Sequence, residues 1–338
     1  MLEYAQTGLT SLREGRLLVT GGTGFFGTWL LESLCLAHDR FGLGVKLDVL
    51  SRDPAQFLRR SPHLAGHPAL RWRTGDIRNL PPLGEYTHVL HGATAASAAL
   101  NDGSPEEMVA TIVEGTRSLL AALEDAPPRR LLYVSSGAVY GTQPSDLDRI
   151  PETHPGGPDP MDPRSAYAEG KRLAEHMAVL WTSRRSVDLV VARPFAFVGP
   201  HLPLDAHFAM GNFLADALAK RPIQVKGDGT PLRSYLHAAD LAVWIWTLLA
   251  LGRPGQAYNV GSESALSIAD LARCIGRIEG LPVQVARTPV PGAPAARYVP
   301  STAKARQELG LRESIPLEDA LRRTLAWHRE IRFPGEAS

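Results

Sequence analysis

Residues Leu17–Gly27 read LLVTGGTGFFG, an apolar run that changes abruptly to glycine and threonine and then becomes bulky again. The run RLLVT is typical of a central β-strand, and the TWLLESLCLA after the glycines is typical of a helix. Glycines between the two let the chain turn tightly, let backbone N–H groups approach a pyrophosphate and let helix and strand pack closely. The stretch therefore predicts a dinucleotide-binding β-turn-α unit, with these residues at the cofactor: Gly21, Gly24, Phe25, Phe26 and Gly27.

The first half of the chain repeats this alternation of short β-rich runs and helical patterns. Such alternation implies crossover connections and a parallel sheet covered on both faces. We predict an α/β fold with a Rossmann-type doubly wound parallel sheet. The predicted strands are Arg16–Thr20, Lys46–Ser51, Leu70–Thr74, Thr87–His91, Arg130–Ser135, Val187–Arg193 and Ala257–Gly261, and the predicted helices are Gly24–Ala37, Glu106–Glu124 and Ser165–Ser183.

The rhythm changes after Arg193, where PFAFVGPHLPLDAHFAMGNF is rich in proline, glycine and aromatic residues, as in a loop-built pocket wall. The rest is mostly helical, with a proline-rich break at Thr288–Pro300. We therefore expect a cofactor domain of residues 1–195 plus about 235–262. A smaller, mostly helical C-terminal substrate-binding lobe would comprise residues 196–234 and 263–338.

Composition excludes several classes of function. The 338 residues carry 36 Lys+Arg and 35 Asp+Glu, which argues against a nucleic-acid-binding protein. Cys35 and Cys274 lie in apolar helical patterns without metal-ligand spacing, so both are expected to be reduced core residues and no metal site is expected. No apolar run approaches the roughly 18 residues of a membrane span, and the N-terminus lacks the apolar core of a secretion signal. We expect a soluble cytoplasmic protein.

The end of the second strand, LDVLSRD, bears on the choice of dinucleotide. An acidic residue here would bind the ribose hydroxyls of NAD, whereas an arginine accommodates the 2′-phosphate of NADP. Ser51 and Arg52 stand at the strand tip, and Asp53 follows. The pattern favours NADP(H), with NAD as the alternative.

The segment SAYAEGKRLAEHM places Tyr167 and Lys171 four residues apart, on one face of a predicted helix. A phenol with a pKa near ~10 is a poor base at neutral pH. A neighbouring ammonium and an oxidised nicotinamide ring both favour the phenolate. Because the pair follows a dinucleotide fingerprint and the serine-bearing strand end YVSSGAVYG, we interpret it as catalytic.

At this point the chain resembles the extended short-chain dehydrogenases/reductases, specifically the NAD(P)-dependent nucleotide-sugar epimerases and dehydratases. The resemblance spans about Leu17–Leu321 and rests on TGGTGFFG, GDIRN, HGATAAS, SSGAVYG, YAEGK, ARPFAFVGP, GDGTPLRSYLHAADLA and YNVGS, in the order of the family. It implies a nucleotide-sugar substrate. By analogy with relatives that pair across a four-helix interface, it also implies a homodimer formed by the helices Glu106–Glu124 and Ser165–Ser183.

The resemblance also implies roles for single residues. Ser136 would hydrogen-bond the sugar hydroxyl that is oxidised, Tyr167 would be the acid/base, and Lys171 would bind the nicotinamide ribose and tune the tyrosine. Arg233 would hold the diphosphate of the sugar nucleotide, a task suited to a guanidinium fork. The remaining cofactor residues would be Asp76 and Ile77 near the adenine, Gly92, Ala93 and Thr94 after the fourth strand, and Pro194 and Phe195 by the nicotinamide.

Two departures from the family pattern matter. The 4,6-dehydratases carry an Asp-Glu pair just after the catalytic Ser/Thr, and the decarboxylases keep a glutamate there, because these reactions need a further acid or base. This chain has Gly137 and Ala138 instead. Glu169 points away from Tyr167 on the helix, although an acid from the loop around Glu152 and His154 stays open. Many relatives also have an asparagine at the position of Ala196; Asn212 is our candidate to replace it.

These features favour hydride transfer at C4 of a nucleotide-activated hexose, with a 4-epimerase as the first hypothesis. An NADPH-dependent 4-keto-sugar reductase is the alternative, and a 4,6-dehydratase comes third. A different class, a non-catalytic cofactor sensor on the same fold, is disfavoured because Ser136, Tyr167 and Lys171 are all present.

Overall fold

A computed structural model describes residues 2–94, 103–204 and 208–332. Ala95, Ala96 and Ser97 of the HGATAAS motif, and residues 333–338 of the expected C-terminal lobe, lie outside these ranges. Within them the strands are, in chain order, β1 (Arg16–Thr20), β2 (Lys46–Ser51), β3 (Leu70–Thr74), β4 (His88–His91), β5 (Arg130–Val134), β6 (Asp188–Pro194), β7 (Phe197–Val198), β8 (Ile223–Val225), β9 (Leu232–Arg233), β10 (Leu236–His237), β11 (Gln256–Val260), β12 (Leu266–Ser267), β13 (Val283–Val285) and β14 (Arg297–Tyr298).

The helices are amphipathic or fully apolar segments that cover these strands. In chain order they are α1 (Leu2–Thr10), α2 (Phe25–Phe41), α3 (Pro54–Arg60), α4 (Pro105–Ala122), α5 (Ala166–Thr182), α6 (Ala209–Leu218), α7 (Ala238–Leu251), α8 (Ile268–Glu279), α9 (Ala303–Leu309) and α10 (Leu317–Arg332). Single turns of 3₁₀ helix lie at Pro62–Leu64, Gly137–Tyr140 and Pro163–Ser165. None of the helices in the described part of the chain is long and apolar enough to cross a membrane.

Seven parallel strands form the central sheet, in the order β11-β6-β5-β4-β1-β2-β3. The strand order reverses between β1 and β4, which lie side by side with Thr20 opposite His91. A crevice outside the carboxyl ends of the strands opens at such a switch point. The predicted doubly wound parallel sheet is therefore confirmed, and the glycine turn lies at its switch point.

Helices cover both faces of the sheet. One core contains α1, α2 and α7, and residues 238–250 of α7 are buried on every side. The other core packs α4 and α5 on the opposite face, with Ile112 and Ala174 among its buried residues. Nearly continuous apolar strands such as β5, which is buried along its whole length, fit this two-sided covering.

A third core lies in the C-terminal part of the chain and contains apolar residues of α6, α8 and α10. Two small sheets accompany this core: β8 pairs with β13, and β9 lies between β12 and β14. The proline-rich break predicted at Thr288–Pro300 contains β14, which sequence patterning missed.

The predicted helix Gly24–Ala37 is longer in the structure and runs over Phe25–Phe41. Its end is set by Gly42, which adopts the left-handed conformation with φ 58° and donates its N–H to the His38 carbonyl. Apolar periodicity fades before the helix ends, because the last turn faces solvent. The predicted bounds of β1, β2 and β3 are confirmed, and the other central elements differ from prediction by one or two residues at their ends.

Candidate active site

The three predicted cofactor glycines meet different surroundings. Gly21 has φ +79°, and a Cβ there would come within 2.5 Å of the Gly92 carbonyl oxygen. A Cβ at Gly27 would lie 2.3 Å from the Gly22 carbonyl carbon, so the helix packs against the turn only without a side chain. Among the described residues, a Cβ at Gly24 would meet only the Gly21 oxygen, at 3.7 Å. Gly21 thus makes the turn, Gly27 allows the packing, and Gly24 faces free space.

The start of α2 leaves its backbone donors available. Gly24 is the N-cap and supplies no side-chain hydrogen bond to the helix. The side chain of Phe26 turns to the core, where its ring lies 4.9 Å from that of Phe197. Phe25 and Phe26 therefore present backbone N–H groups at a helix N-terminus, which favours a diphosphate.

The loop after β4 is anchored beside the turn. The Ala93 N–H donates to the Thr20 hydroxyl at 3.1 Å, and that hydroxyl is hydrogen-bonded to the His91 ring at 2.8 Å. Burial lowers the pKa of His91 to about 3, so this ring is neutral. The buried Thr94 hydroxyl has no hydrogen-bond partner among the described residues. An unpartnered buried hydroxyl in the loop that contacts Gly21 fits the dinucleotide, which polar groups of the chain would hold here.

At the tip of β2 the carboxylate of Asp53 is already engaged. It accepts the Gln56 N–H at 2.8 Å and caps α3. Arg52 is exposed, and the Ser51 hydroxyl lies 3.3 Å from that of Thr23. The strand tip therefore offers two hydroxyls and a guanidinium.

Asp76 and Ile77, predicted near the adenine, follow β3. The Asp76 carboxylate is paired with the Arg78 guanidinium at 2.8 Å, and this hydrogen bonding, aided by the Arg52 charge, lowers the pKa of Asp76 to about 2. Ile77 packs on α4, where a Cβ at Gly115 would lie 3.1 Å from its side chain.

Ser136 and Tyr167 are brought together from separate elements. Ser136 follows β5 and caps a 3₁₀ turn, accepting the Ala138 N–H at 3.1 Å, while Tyr167 lies in the first turn of α5. Burial raises the pKa of Tyr167, and hydrogen bonding with Ser136 lowers it in part. Tyr167 is thus a protonated phenol beside a serine hydroxyl until a further positive charge arrives.

Lys171 lies one turn further along α5 and is buried. Its ammonium donates to the Val134 carbonyl oxygen at 2.8 Å and stands 5.3 Å from the centre of the Tyr133 ring. Burial lowers the pKa of Lys171 to about 7, although the nearby Glu175 carboxylate opposes this shift. The sequence predicted an ordinary ammonium at this position, whereas in the structure burial lowers the pKa of Lys171.

A partly buried ionic network near Lys171 was not predicted from the sequence. Glu175 pairs with Arg193 and accepts the Ser135 hydroxyl at 2.8 Å. Arg193 also donates to the Tyr140 hydroxyl at 2.9 Å. The sequence carried a usable signal for Glu175, because it lies one turn after Lys171 on the same helix face. This signal is weak, because glutamates at this spacing are common on the exposed faces of helices.

A second unanticipated group closes the site from the C-terminal part of the chain. The Tyr298 ring lies 4.6 Å from the Phe195 ring, and the Arg233 guanidinium lies 6.0 Å from the centre of the Tyr298 ring. β14 pairs with β9 so that Tyr298 is opposite Arg233. Pro194 ends β6 just before Phe195 and pairs with Val260. No local pattern pointed to Tyr298, because only the pairing of β9 with β14 brings it here.

The other candidates lie apart or are engaged. Asn212 lines a cleft of about 410 Å³ with residues of α6 and β8, and this lining shares no residue with the Ser136 group. The Glu152 carboxylate accepts the Asn259 backbone N–H at 2.9 Å, and Glu169 lies 4.0 Å from Arg172. Sequence reasoning left Glu152 open as an acid; the structure ties it to β11.

Known proteins share this architecture. The model of the NAD-dependent epimerase/dehydratase family matches residues 17–261. The chain belongs to that family. It is 28% identical to UDP-glucuronic acid decarboxylase 1 of Arabidopsis thaliana over 311 residues, covering 92% of this chain and 69% of the relative. The expected likeness to nucleotide-sugar enzymes of the extended short-chain dehydrogenase/reductase type is confirmed, and the chain is an enzyme of this family.

Two solved structures share this fold. A dTDP-glucose 4,6-dehydratase of Streptomyces venezuelae, solved with NAD, is 27% identical and has a TM-score of 0.79, covering 95% of this chain and 99% of that one. The UDP-glucose 4-epimerase of Thermotoga maritima, solved with UDP-glucose, is 22% identical and has a TM-score of 0.75, covering 94% and 99%. The second likeness shows the shared fold alone.

Proposed function

We propose that this member of the family transfers a hydride at C4 of a nucleotide-activated hexose with NAD(P), and that its net reaction is 4-epimerisation. The proposal is carried by one observation: Ser136 meets Tyr167, one helical turn from the buried Lys171, near the carboxyl edge of the sheet that carries the glycine turn. The substrates named for the decarboxylase relative and for the Streptomyces dehydratase support a nucleotide sugar.

The chain's own groups suit this chemistry. When bound, the nicotinamide takes up a hydride and returns it. Tyr167 would accept the proton of the C4 hydroxyl and later give it back, with Ser136 hydrogen-bonded to the same oxygen. An ammonium has three N–H donors, and Lys171 uses one on Val134, which leaves others for the ribose of the cofactor and for Tyr167.

Two features support 4-epimerisation over dehydration. Elimination of water requires a further acid and base, and Gly137 and Ala138 offer none. The space next to Gly137 is filled instead, since a Cβ there would lie 2.7 Å from both Phe195 and Tyr298. A 4-epimerase needs only one proton-transfer group at C4, because the keto-sugar turns over and receives the hydride on its other face.

Arg52 supports NADP(H) as the cofactor and a 4-keto-sugar reductase as the second candidate function. With Asp53 capping α3, the exposed Arg52 is the charged group at the strand tip suited to a 2′-phosphate. Titration calorimetry should show tighter binding of NADP(H) than of NAD(H). Arg52→Ala should weaken NADP(H) binding about tenfold and leave NAD(H) binding nearly unchanged; equal losses for both would contradict this assignment.

The substrate would lie between the sheet and the lobe formed by residues 196–234 and 263–338. The Arg233 guanidinium donates hydrogen bonds to the carbonyl oxygens of Leu232 and Ala296, at 2.8 and 3.4 Å. A guanidinium has five N–H donors, so others remain for a diphosphate. Asn212 stays a candidate for the nucleotide, from the neighbouring cleft.

The test is to incubate purified protein and cofactor with UDP-, dTDP-, GDP- and CDP-hexoses and with UDP-glucuronate, and to identify products by NMR. We expect a C4 epimer without net cofactor turnover. Steady NADPH consumption with a 4-keto sugar would indicate the reductase, a 4-keto sugar with a C6 methyl group would indicate the dehydratase, and loss of the carboxylate would indicate a decarboxylase. Tyr167→Phe should abolish most turnover and retain cofactor binding; a sensor would be unaffected.

We also propose a homodimer formed by α4 and α5. Leu173 and Leu180 lie seven residues apart on one face of α5 and are each 49% exposed, which is high for leucine. Sedimentation should give twice the mass of the chain, and Leu180→Glu should give monomers. A monomeric wild-type protein would rule the dimer out. The cytoplasmic location stays a prediction.

A further inference from the structure

A second phenol stands beside the proposed catalytic pair. A Cβ at Gly137 would lie 2.7 Å from the Tyr298 hydroxyl oxygen, so this hydroxyl occupies the space into which a side chain of residue 137 would project. Gly137 directly follows Ser136. The packing of the Tyr298 ring on Phe195 and beside Arg233 fixes the phenol at this place.

The Ser136 hydroxyl influences the ionisation of both phenols. Burial raises the pKa of Tyr298 as it does that of Tyr167, and hydrogen bonding with the Ser136 hydroxyl lowers both. The two phenols also interact electrostatically, since a charge on Tyr167 raises the pKa of Tyr298. Tyr298, Ser136 and Tyr167 therefore form one hydroxyl cluster.

The donors and acceptors of this cluster can be counted. A serine hydroxyl donates one hydrogen bond and accepts two. The Ala138 N–H already donates to the Ser136 oxygen at 3.1 Å, which leaves one lone pair and one hydrogen. If Tyr298 donates to that lone pair, the Ser136 hydrogen is directed to the Tyr167 oxygen or to the substrate oxygen beside it.

We propose that Tyr298 is a positioning residue whose O–H donates to Ser136 and thereby holds the Ser136 hydroxyl as a donor towards Tyr167. Tyr298 thus stabilises the Tyr167 phenolate through Ser136. The role in turnover rests on the proposed function, whereas the hydroxyl arrangement itself does not. Gly137 is required because any side chain there would displace the phenol.

The test measures the ionisation of Tyr167 directly. The wild-type protein, saturated with NADP⁺, is titrated with pH while the near-ultraviolet absorbance of tyrosinate is followed, and Tyr167→Phe identifies the Tyr167 component. Tyr298→Phe keeps the ring and removes only the hydroxyl. It should raise the apparent pKa of Tyr167 by about one unit, because a hydrogen bond to a charged group shifts a pKa by about that much.

Two further variants separate positioning from packing. Gly137→Ala keeps the Tyr298 hydroxyl but pushes it aside, and it should shift Tyr167 in the same direction. Tyr86→Phe is the matched control, since Tyr86 is a buried phenol that donates to Asp48 at 2.7 Å, away from this cluster. It should leave the Tyr167 component unchanged.

A double-mutant cycle gives the deciding outcome. Ser136→Ala alone should raise the apparent pKa of Tyr167, and adding Tyr298→Phe should produce no further shift, because both act through the same hydroxyl. An unchanged Tyr167 titration in Tyr298→Phe, or additive shifts in the double variant, would overturn the proposal.

Turnover provides an independent readout. On the preferred nucleotide hexose, Tyr298→Phe should move the acidic limb of the kcat/KM profile up by about one pH unit. Loss of packing alone would lower kcat/KM equally at every pH and would contradict the proposal. If the wild-type protein converts no nucleotide hexose, the proposed function is wrong, but the spectroscopic titration still decides the role of Tyr298.

Discussion

We predict that the buried ammonium of Lys171 destabilises the folded protein, and Lys171→Met measures the size of this effect. Burial lowers the pKa of its ammonium from 10.5 to about 7, so the unfolded chain binds more protons here between pH 7 and 10.5. The contribution of Lys171 to the free energy of unfolding therefore rises as the pH increases from 7 to 10.5, and it is lowest below pH 7. At pH 7 the cost of burying the group is about 4 kcal/mol, and at pH 9 it is about 2 kcal/mol.

Methionine keeps most of the volume of lysine and carries no charge. The substitution leaves the Val134 carbonyl oxygen without its 2.8 Å hydrogen bond, which costs about 1.5 kcal/mol. The free energy of unfolding of the cofactor-free protein should therefore rise by about 2.5 kcal/mol at pH 7, and the gain should be about 2 kcal/mol smaller at pH 9. Catalytic turnover should be lost in the same variant.

Urea unfolding of both proteins at pH 7 and pH 9, followed by circular dichroism, measures these differences. Lys46→Met is the matched control, because Lys46 is exposed at the start of β2 and the same substitution removes no buried charge there. The lowered pKa of Lys171 would be refuted if Lys171→Met were no more stable than wild type. It would also be refuted if the gain in unfolding free energy were the same at both pH values.

The remaining predictions concern the glycine turn and the C-terminal part of the chain. Gly27→Ala should lower the free energy of unfolding by about 3 kcal/mol, since its Cβ meets backbone atoms at 2.3–2.4 Å; Gly24→Ala should cost less than about 1 kcal/mol yet weaken dinucleotide binding at least about tenfold in calorimetry. Equal losses of unfolding free energy in the two variants would contradict the different roles assigned to Gly27 and Gly24. Asp240→Ala should cost about 3 kcal/mol in urea unfolding, because it removes the acceptor of the Ser314 and Ile315 N–H groups, which donate to the buried carboxylate at 2.9 and 3.1 Å; a wild-type midpoint would show that these bonds contribute little.

At the carboxyl end of β2, the sequence alone allows either of two residues to contact the cofactor. Arg52 and Asp53 are adjacent in the chain, and either could have faced the ribose of a dinucleotide. The Asp53 carboxylate accepts the Gln56 N–H and caps α3, whereas the Arg52 side chain beside it is exposed. Residue identity alone cannot make this distinction, because an aspartate can bind a ligand or cap a helix with the same oxygens.

The sequence by itself determined the features that depend on a few neighbouring residues. The glycine spacing fixed the β-turn-α unit, the alternation of elements fixed the parallel sheet, and the four-residue spacing placed Tyr167 and Lys171 on one helix face. These follow from the helical period and from the freedom of glycine at positive φ, both of which act over short stretches of chain.

Only the tertiary structure decided which distant groups surround that pair. Tyr298 reaches Ser136 because β14 pairs with β9, and the pKa of Lys171 is lowered because the sheet and α5 together exclude water from its ammonium. Such properties depend on strand pairing and burial, which arise from contacts between segments far apart in the chain and leave no periodic trace in the sequence.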